Sequence, residues 1–263
     1  MKEVTQHPYS FELVPAKLIT VNRSYQRDAK DAEIKKIVAE FDYHLVNPIK
    51  VVKRDGYYYA WDGQQTTTAL YTKFGKEYLV PCLVYYDIPT SKEEAMLLVG
   101  GNTNGGAGKK LTALEIWKAL IWADDETALK IKKILDDNGF RVSTGGGRVS
   151  KYTISAIGAI QSSYKVLTEK QFLQMLKIVK EAWNGDPDSL CATIIKAVTR
   201  FVRTYDGKFN ETNLIRRLSK HAPVEIIRNG RTSLCKGDAK WAREVLAIYN
   251  NGTSSNRLPD LFM

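Results

Sequence analysis

"YYYAWDGQQTTTALYTKFG", residues 57–75, decides how the first part of this chain folds. Its aromatic run reads as a strand that meets Asp62 and Gly63 at a corner. Gln64, Gln65 and Thr66 then lead into a helical pattern expected over 66–74, with Gly75 as its stop. A strand-to-helix corner needs only a glycine and a cap. A phosphate or nucleotide site would use all five residues from Asp62 to Thr66.

Working outward, the pattern on either side alternates strand and helix. Residues 11–30 read as a short strand, a bend at Pro15 and an extended arm. Asp31 is placed to cap a helix whose apolar positions Ile34, Ile37, Val38 and Phe41 recur at helical spacing. "NPIKVVKRDGYYYAWDG" predicts a hairpin turning at Asp55-Gly56. "YLVPCLVYYDI" predicts another strand, and "SKEEAMLLVG" a helix opened by a Ser91/Glu94 capping box. From Leu111 onward the period is mostly helical, as in "LTALEIWKALIWA", "ETALKIKKILDDNGF", "KQFLQMLKIVKEAW", "SLCATIIKAVTRFVRTY", "NETNLIRRLSKHA" and "GDAKWAREVLAIYN". "STGGGRVSKYTIS" reads as a flexible loop and "NNGTSSNRLPDLFM" as a loose tail. The expectation is α+β: a small mixed α/β domain over residues 1–108, then an all-helical domain over 109–263.

Composition narrows the function classes. With 44% hydrophobic and 26% charged residues the chain is an ordinary globular protein. It has no apolar run of the roughly 20 residues that a membrane helix needs. Cys82, Cys191 and Cys235 are far apart and odd in number, so a disulfide framework is not expected and a cytoplasmic location is. His7, His44 and His221 are scattered, so no metal ligands are assigned. The net charge is +10, from 39 basic and 29 acidic side chains. It is uneven: 15 basic face 13 acidic residues in 1–110, against 24 and 16 in 111–263. Residues 200–243 alone hold 11 basic and 4 acidic side chains. That asymmetry points to DNA, with Arg200, Arg203, Arg216, Arg217 and Lys220 as candidate contacts. A solvated basic face without a partner is the plain alternative.

Several segments also occur in a recognisable order. "NRSYQR" at 22–27 precedes an amphipathic helix, "NPIKVV" at 47–52, the hairpin, "DGQQTTTAL" at 62–70 and "YLVPCLVYYD" at 78–87. This set resembles the ParB/sulfiredoxin superfamily over about residues 13–120, including the segment "EEAMLLVGGNTNGGAGKKLTALEIWKAL". The resemblance implies a turn that wraps a nucleotide: CTP or another NTP with Mg²⁺ in the ParB branch, whose members load on DNA. It allows a homodimer. It assigns Gly63 to close approach of phosphate, and the start of the following helix to anion binding through its free N–H groups. Gln26, Arg27, Thr66, Asn102, Lys109 and Lys110 are the further nucleotide-binding candidates. Asp62, Gln64 and Gln65 are the catalytic candidates if the turn acts on Mg²⁺ or water.

The departures from the family are specific. Thr66 stands where the family has an arginine after D-G-Q-Q, and neither arginine of G-E-R-R is present. No cysteine lies at the turn, which excludes peroxiredoxin repair chemistry. Asn102 remains from an E-N-x-x-R segment without its arginine, and Lys109 and Lys110 are point charges rather than bidentate forks. A triphosphate is therefore expected to bind weakly. "GGNTNGGAGKK" at 100–110 fails the G-x-x-x-x-G-K-[ST] pattern and reads as an interdomain loop. The leading expectation is a ParB-like DNA-binding protein of a mobile element or plasmid-type locus. The alternatives are a metal-dependent nuclease or nucleotide hydrolase, and a non-catalytic protein-binding adaptor.

Overall fold

The computed structural model describes residues 9–103, 111–143, 149–251 and 257–262. The architecture is α+β, and the chain divides into two compact units, Met1–Ala128 and Leu129–Met263.

In the first unit a five-stranded mixed sheet is built from β1 (Tyr9–Pro15), β2 (Ile19–Thr20), β3 (Ile49–Arg54), β4 (Tyr57–Asp62) and β5 (Leu79–Tyr85). Its order is β1-β5-β3-β4-β2, with β3 parallel to β5 and antiparallel to β4. The β3–β4 turn is the expected Asp55-Gly56: both residues have positive φ, 50° and 78°, as a type I′ turn requires. One sheet face gathers Val14, Ile49, Val51, Ala60, Val80, Cys82 and Val84 against Leu70. Leu70 lies on α2 (Gln64–Phe74), which packs beside α1 (Asp31–Ala39). Alternation of β-branched residues along β3 and β5 produces that face. On the opposite face Trp61 contacts α3 (Ser91–Thr103) at Gly101, and α3 packs on α4 (Ala113–Trp122).

Four local expectations are corrected. Lys30, not Asp31, is the N-cap of α1; Asp31 sits inside its first turn, where its charge favours the helix dipole. α2 begins at Gln64, two residues before the expected start, because Gly63 adopts the left-handed conformation that lets the chain turn straight into the helix. The capping box of α3 is Thr90/Glu93, with the Glu93 carboxylate accepting from the Thr90 N–H and hydroxyl. Glu94 is instead fully buried, accepting from the Tyr25 hydroxyl and the Arg54 guanidinium. α3 also runs through Gly100–Thr103, so the start of "GGNTNGGAGKK" is helix; residues 104–110 lie outside the described residues.

The second unit is helical: α5 (Glu126–Asp137, which starts in the first unit), α6 (Ile157–Val166), α7 (Glu169–Ala182), α8 (Ala192–Thr204), α9 (Glu211–Leu218), α10 (Pro223–Arg231) and α11 (Ala239–Asn250). α8 is central, burying Ile194, Ile195, Val198, Phe201 and Val202 among α6, α7, α10 and α11. The expected loop "STGGGRVSKYTIS" is corrected at its end: Thr153–Ile154 within it form β7, paired in parallel with β6 (Arg141–Val142), and its residues 144–148 are outside the described set.

The described end of the tail, residues 257–262, is packed rather than loose, while residues 252–256 and 263 lie outside the described residues. Leu258 and Phe262 are buried, Asn250 exchanges two hydrogen bonds with the Leu258 backbone, and the Tyr205 hydroxyl donates to the Pro259 carbonyl at 2.6 Å. Arg243 pairs with Asp260 at 2.5 Å. Among the described residues no helix is long and apolar enough to cross a membrane.

Candidate functional site

A cleft of about 220 Å³ opens at the end of β4, beside the first turn of α2. Its lining brings together Gln26, Arg27, Asp62, Gly63, Gln64, Gln65, Thr66 and Asn102, eight residues picked out from sequence. Lys109 and Lys110 lie outside the described residues. Tyr25, Trp61, Leu98, Leu111 and Glu115 complete the wall and were not among the candidates.

Gly63 forms the corner for two reasons. Its φ of 91° lies in the left-handed region, and a Cβ there would fall 2.6 Å from the Ile49 Cδ1 atom. The helix that follows has no side-chain N-cap, and its first-turn amides have no partner within the helix. The threonines mostly serve the helix itself: Thr67 donates to the Gly63 carbonyl at 3.1 Å and Thr68 to the Gln64 carbonyl at 2.9 Å. Gln26 is likewise engaged, its amide donating to the Ala60 carbonyl at 2.8 Å, which ties the arm to β4. Asn102 donates to the Leu98 carbonyl one turn back along α3.

The cleft's charge is nearly cancelled. Arg27 pairs with Glu115 at 2.9 Å, with both side chains largely buried. Burial alone would push the Glu115 carboxyl up. The Thr112 backbone and hydroxyl, and the Arg27 guanidinium, outweigh that and hold it below the usual carboxylate range. Asp62 is half exposed and 3.5 Å from Lys50.

Two N–H donors are left over. The Trp61 indole Nε1 and the Gln65 amide Nε2 are buried and have no hydrogen-bond partner among the described residues. A buried, unmet donor costs about 1–3 kcal/mol, so an acceptor at the cleft would be bound partly by meeting it. Gln65 was legible as a polar turn residue. Trp61 was not, because an aromatic at a strand end reads as core and its orphaned nitrogen is visible only in three dimensions.

Cys82, the cysteine nearest the turn in sequence, is a core residue on β5. Burial pushes its thiol up to about 12, leaving it no thiolate character. Among the described residues no group of three or more His, Cys, Asp or Glu gathers to hold a metal.

In the basic half, the structure separates the arginines. Arg200 and Arg203 are exposed on α8, and Arg216 and Lys220 are exposed on and just after α9. Arg217 is turned inward, donating to the Tyr249 and Asn251 carbonyls at the end of α11. It is a C-terminal helix cap rather than a free cation. A family described as being of unknown function, DUF6551, matches residues 21–262. The chain belongs to that family. No curated protein matches the chain. The DUF6551 match includes both the cleft and the basic helices, and it leaves residues 1–20, with β1 and β2, outside at the N-terminal end.

Proposed function

We propose that this DUF6551 chain is a ParB-like DNA-binding protein that engages DNA phosphates through its helical unit and carries a weak phosphate-ligand cleft in its α/β unit. The observation that supports the DNA reading is a surplus of exposed cations without acidic partners. Arg200, Arg203, Lys220, Arg228, Arg231 and Lys236 take part in none of the ion pairs found among the described residues of this unit, which are made by residues such as Lys177 with Glu211 and Arg243 with Asp260. Uncompensated charge of one sign on an exposed face attracts a polyanion and releases its counterions. The test is fluorescence anisotropy on a random-sequence duplex. Binding at about 50 mM salt that weakens steeply as salt rises supports the reading, and no binding at that salt sinks it.

The cleft fits a phosphate oxygen better than a protein-made metal cage. Trp61 Nε1, Gln65 Nε2 and the first-turn amides of α2 are all donors, and Gly63 keeps the backbone close. Magnesium is usually held by one or two carboxylates plus substrate phosphates, and Asp62 is the carboxylate at the turn. The other cleft carboxylate, Glu115, is already committed to Arg27 and Thr112. CTP or another NTP with Mg²⁺ would therefore be held by neutral donors and Asp62, and a nuclease or hydrolase reading lacks a free second carboxylate. With Arg27 neutralised, calorimetry should show CTP or ATP bound no tighter than about 1 mM. Gln65→Met should weaken that binding while leaving stability unchanged or slightly raised, because it removes an unmet donor at similar volume. Micromolar binding by the wild type would mean that the charge argument is wrong.

A further inference from the structure

α8 is buried along one side and cationic along another. Lys196, Arg200 and Arg203 stand at i, i+4 and i+7, one stripe of the helix. Together with Ser162, Ser163 and Val166 of α6, and with Lys236 to Ala239 before and at the start of α11, they line a hollow of about 420 Å³. Its floor is polar. Ser163 donates to the Ala159 carbonyl at 2.8 Å and lies 2.7 Å from the Thr199 hydroxyl. Ser163 has one proton, so Thr199 is the donor in that second contact.

Three features make the hollow electropositive. Among the described residues, the side chains of Lys196, Arg200, Arg203 and Lys236 form no ion pair and no hydrogen bond. One acid, Asp238, joins them, so the lining carries a surplus of three positive charges. Asp238 is the N-cap of α11, its side chain makes no capping hydrogen bond and no acid occupies the first turn, so this one carboxylate is all that offsets the positive end of the α11 dipole. Four like charges offset by a single carboxylate repel each other around the concavity, and an anion that enters relieves the repulsion. The stripe from Lys196 to Arg203 spans about 10 Å along the helix, longer than one phosphate group and suited to a run of them.

The geometry points to this hollow as a binding site for consecutive phosphate groups, the place where the helical unit grips a nucleic-acid backbone or a free polyphosphate. The backbone assignment rests on the DNA reading above; the polyphosphate chemistry does not. Lys196 and Lys236 are thereby added to Arg200 and Arg203, while Arg216 and Lys220 lie outside the hollow.

The experiment compares wild type with Arg200→Gln/Arg203→Gln, with Lys196→Gln/Lys236→Gln, and with Arg228→Gln/Arg231→Gln on α10 as control. Inorganic tripolyphosphate is titrated by calorimetry, and a short random duplex by anisotropy. Circular dichroism confirms folding of the variants, whose replaced side chains lie at or near the surface. The expected result is that both hollow variants lose roughly tenfold or more in affinity for tripolyphosphate and duplex, while the control keeps its tripolyphosphate binding. Duplex loss without measurable tripolyphosphate binding supports the backbone source. Tripolyphosphate binding that depends on the hollow, in a protein that binds no duplex, defeats the DNA reading but keeps the hollow as a free-polyphosphate site. Duplex binding that is unchanged in both hollow variants, or tripolyphosphate binding that is equal in all four proteins, overturns the site and leaves the DNA reading standing.

Discussion

At the scale of single residues, the corner at 62–66 depends on Gly63. Alanine there meets two costs at once: a φ of 91° that L side chains rarely adopt, and a Cβ 2.6 Å from the buried Ile49 side chain. Gly63→Ala should destabilise the first unit by about 1–3 kcal/mol, read by thermal or urea unfolding. An unchanged midpoint would mean that the corner is not held as described. The presence of a special corner was legible in the sequence, because Asp-Gly followed by glutamines is unusual between strand and helix. The state of its charges was not. Arg27 read as a phosphate contact, but the carboxylate that neutralises it is Glu115, 88 residues away in sequence. The same distance problem hid the roles of Glu94 and Arg217, whose partners come from other elements.

At the scale of elements, capping shows how local patterns are decided by distant ones. Thr90-Ser91-Lys92-Glu93-Glu94 contains two overlapping capping-box matches, and the burial of Glu94 against Tyr25 and Arg54 selects Thr90/Glu93. α4 opens with a similar box, Thr112/Glu115, and there the glutamate also binds Arg27. Glu115→Gln should keep the box, since α7 uses glutamine in the same role with Thr168, and should release the Arg27 charge into the cleft. Calorimetry should then show CTP or ATP bound roughly tenfold tighter. The pH dependence has a definite sign. A carboxyl lowered in the folded state adds stability that is complete above its ordinary value of about 4.3 and is lost as pH falls through the lower folded value. The variant should therefore lose less stability than wild type on acidification below about pH 4.3. An identical acid limb would show that the pair adds nothing.

The helices of the second unit were read correctly where their apolar period was long, as in α7 and α8. α6 and α10 were missed: the first is interrupted by Gly158, Ser162 and Ser163, and the second begins with Pro223 and contains Gly230. The tail was misread because its anchors, Tyr205, Arg243 and Asn250, lie on helices formed earlier in the chain. Deleting residues 257–263 removes the buried Leu258 and Phe262 side chains and should cost the unit about 3 kcal/mol in urea unfolding. No change in midpoint would mean that the tail is a passenger.

At the scale of the whole molecule, the charge asymmetry was legible from composition, but which cations are available was not. Arg217 is engaged at the α11 terminus and Arg243 by Asp260, while Arg216 and Lys220 remain exposed. The two groups should respond differently. For binding driven by phosphate contacts, each contact contributes about 0.9 to the slope of log affinity against log salt. With about six contacts, affinity for a random duplex should fall by around a thousandfold between 50 and 200 mM salt. Replacing Arg216 and Lys220 together by glutamine should weaken binding to all sequences alike and flatten that slope, if these residues touch phosphates rather than bases. Arg217→Gln should instead lower the unfolding midpoint, because two carbonyls at the end of α11 lose their donor, and should leave the slope of the folded protein near that of wild type. Anisotropy across a salt series, paired with thermal unfolding of the same three proteins, separates the cases. If Arg217→Gln flattens the slope without loss of stability, its side chain faces the nucleic acid and the inward contact is not the one that matters.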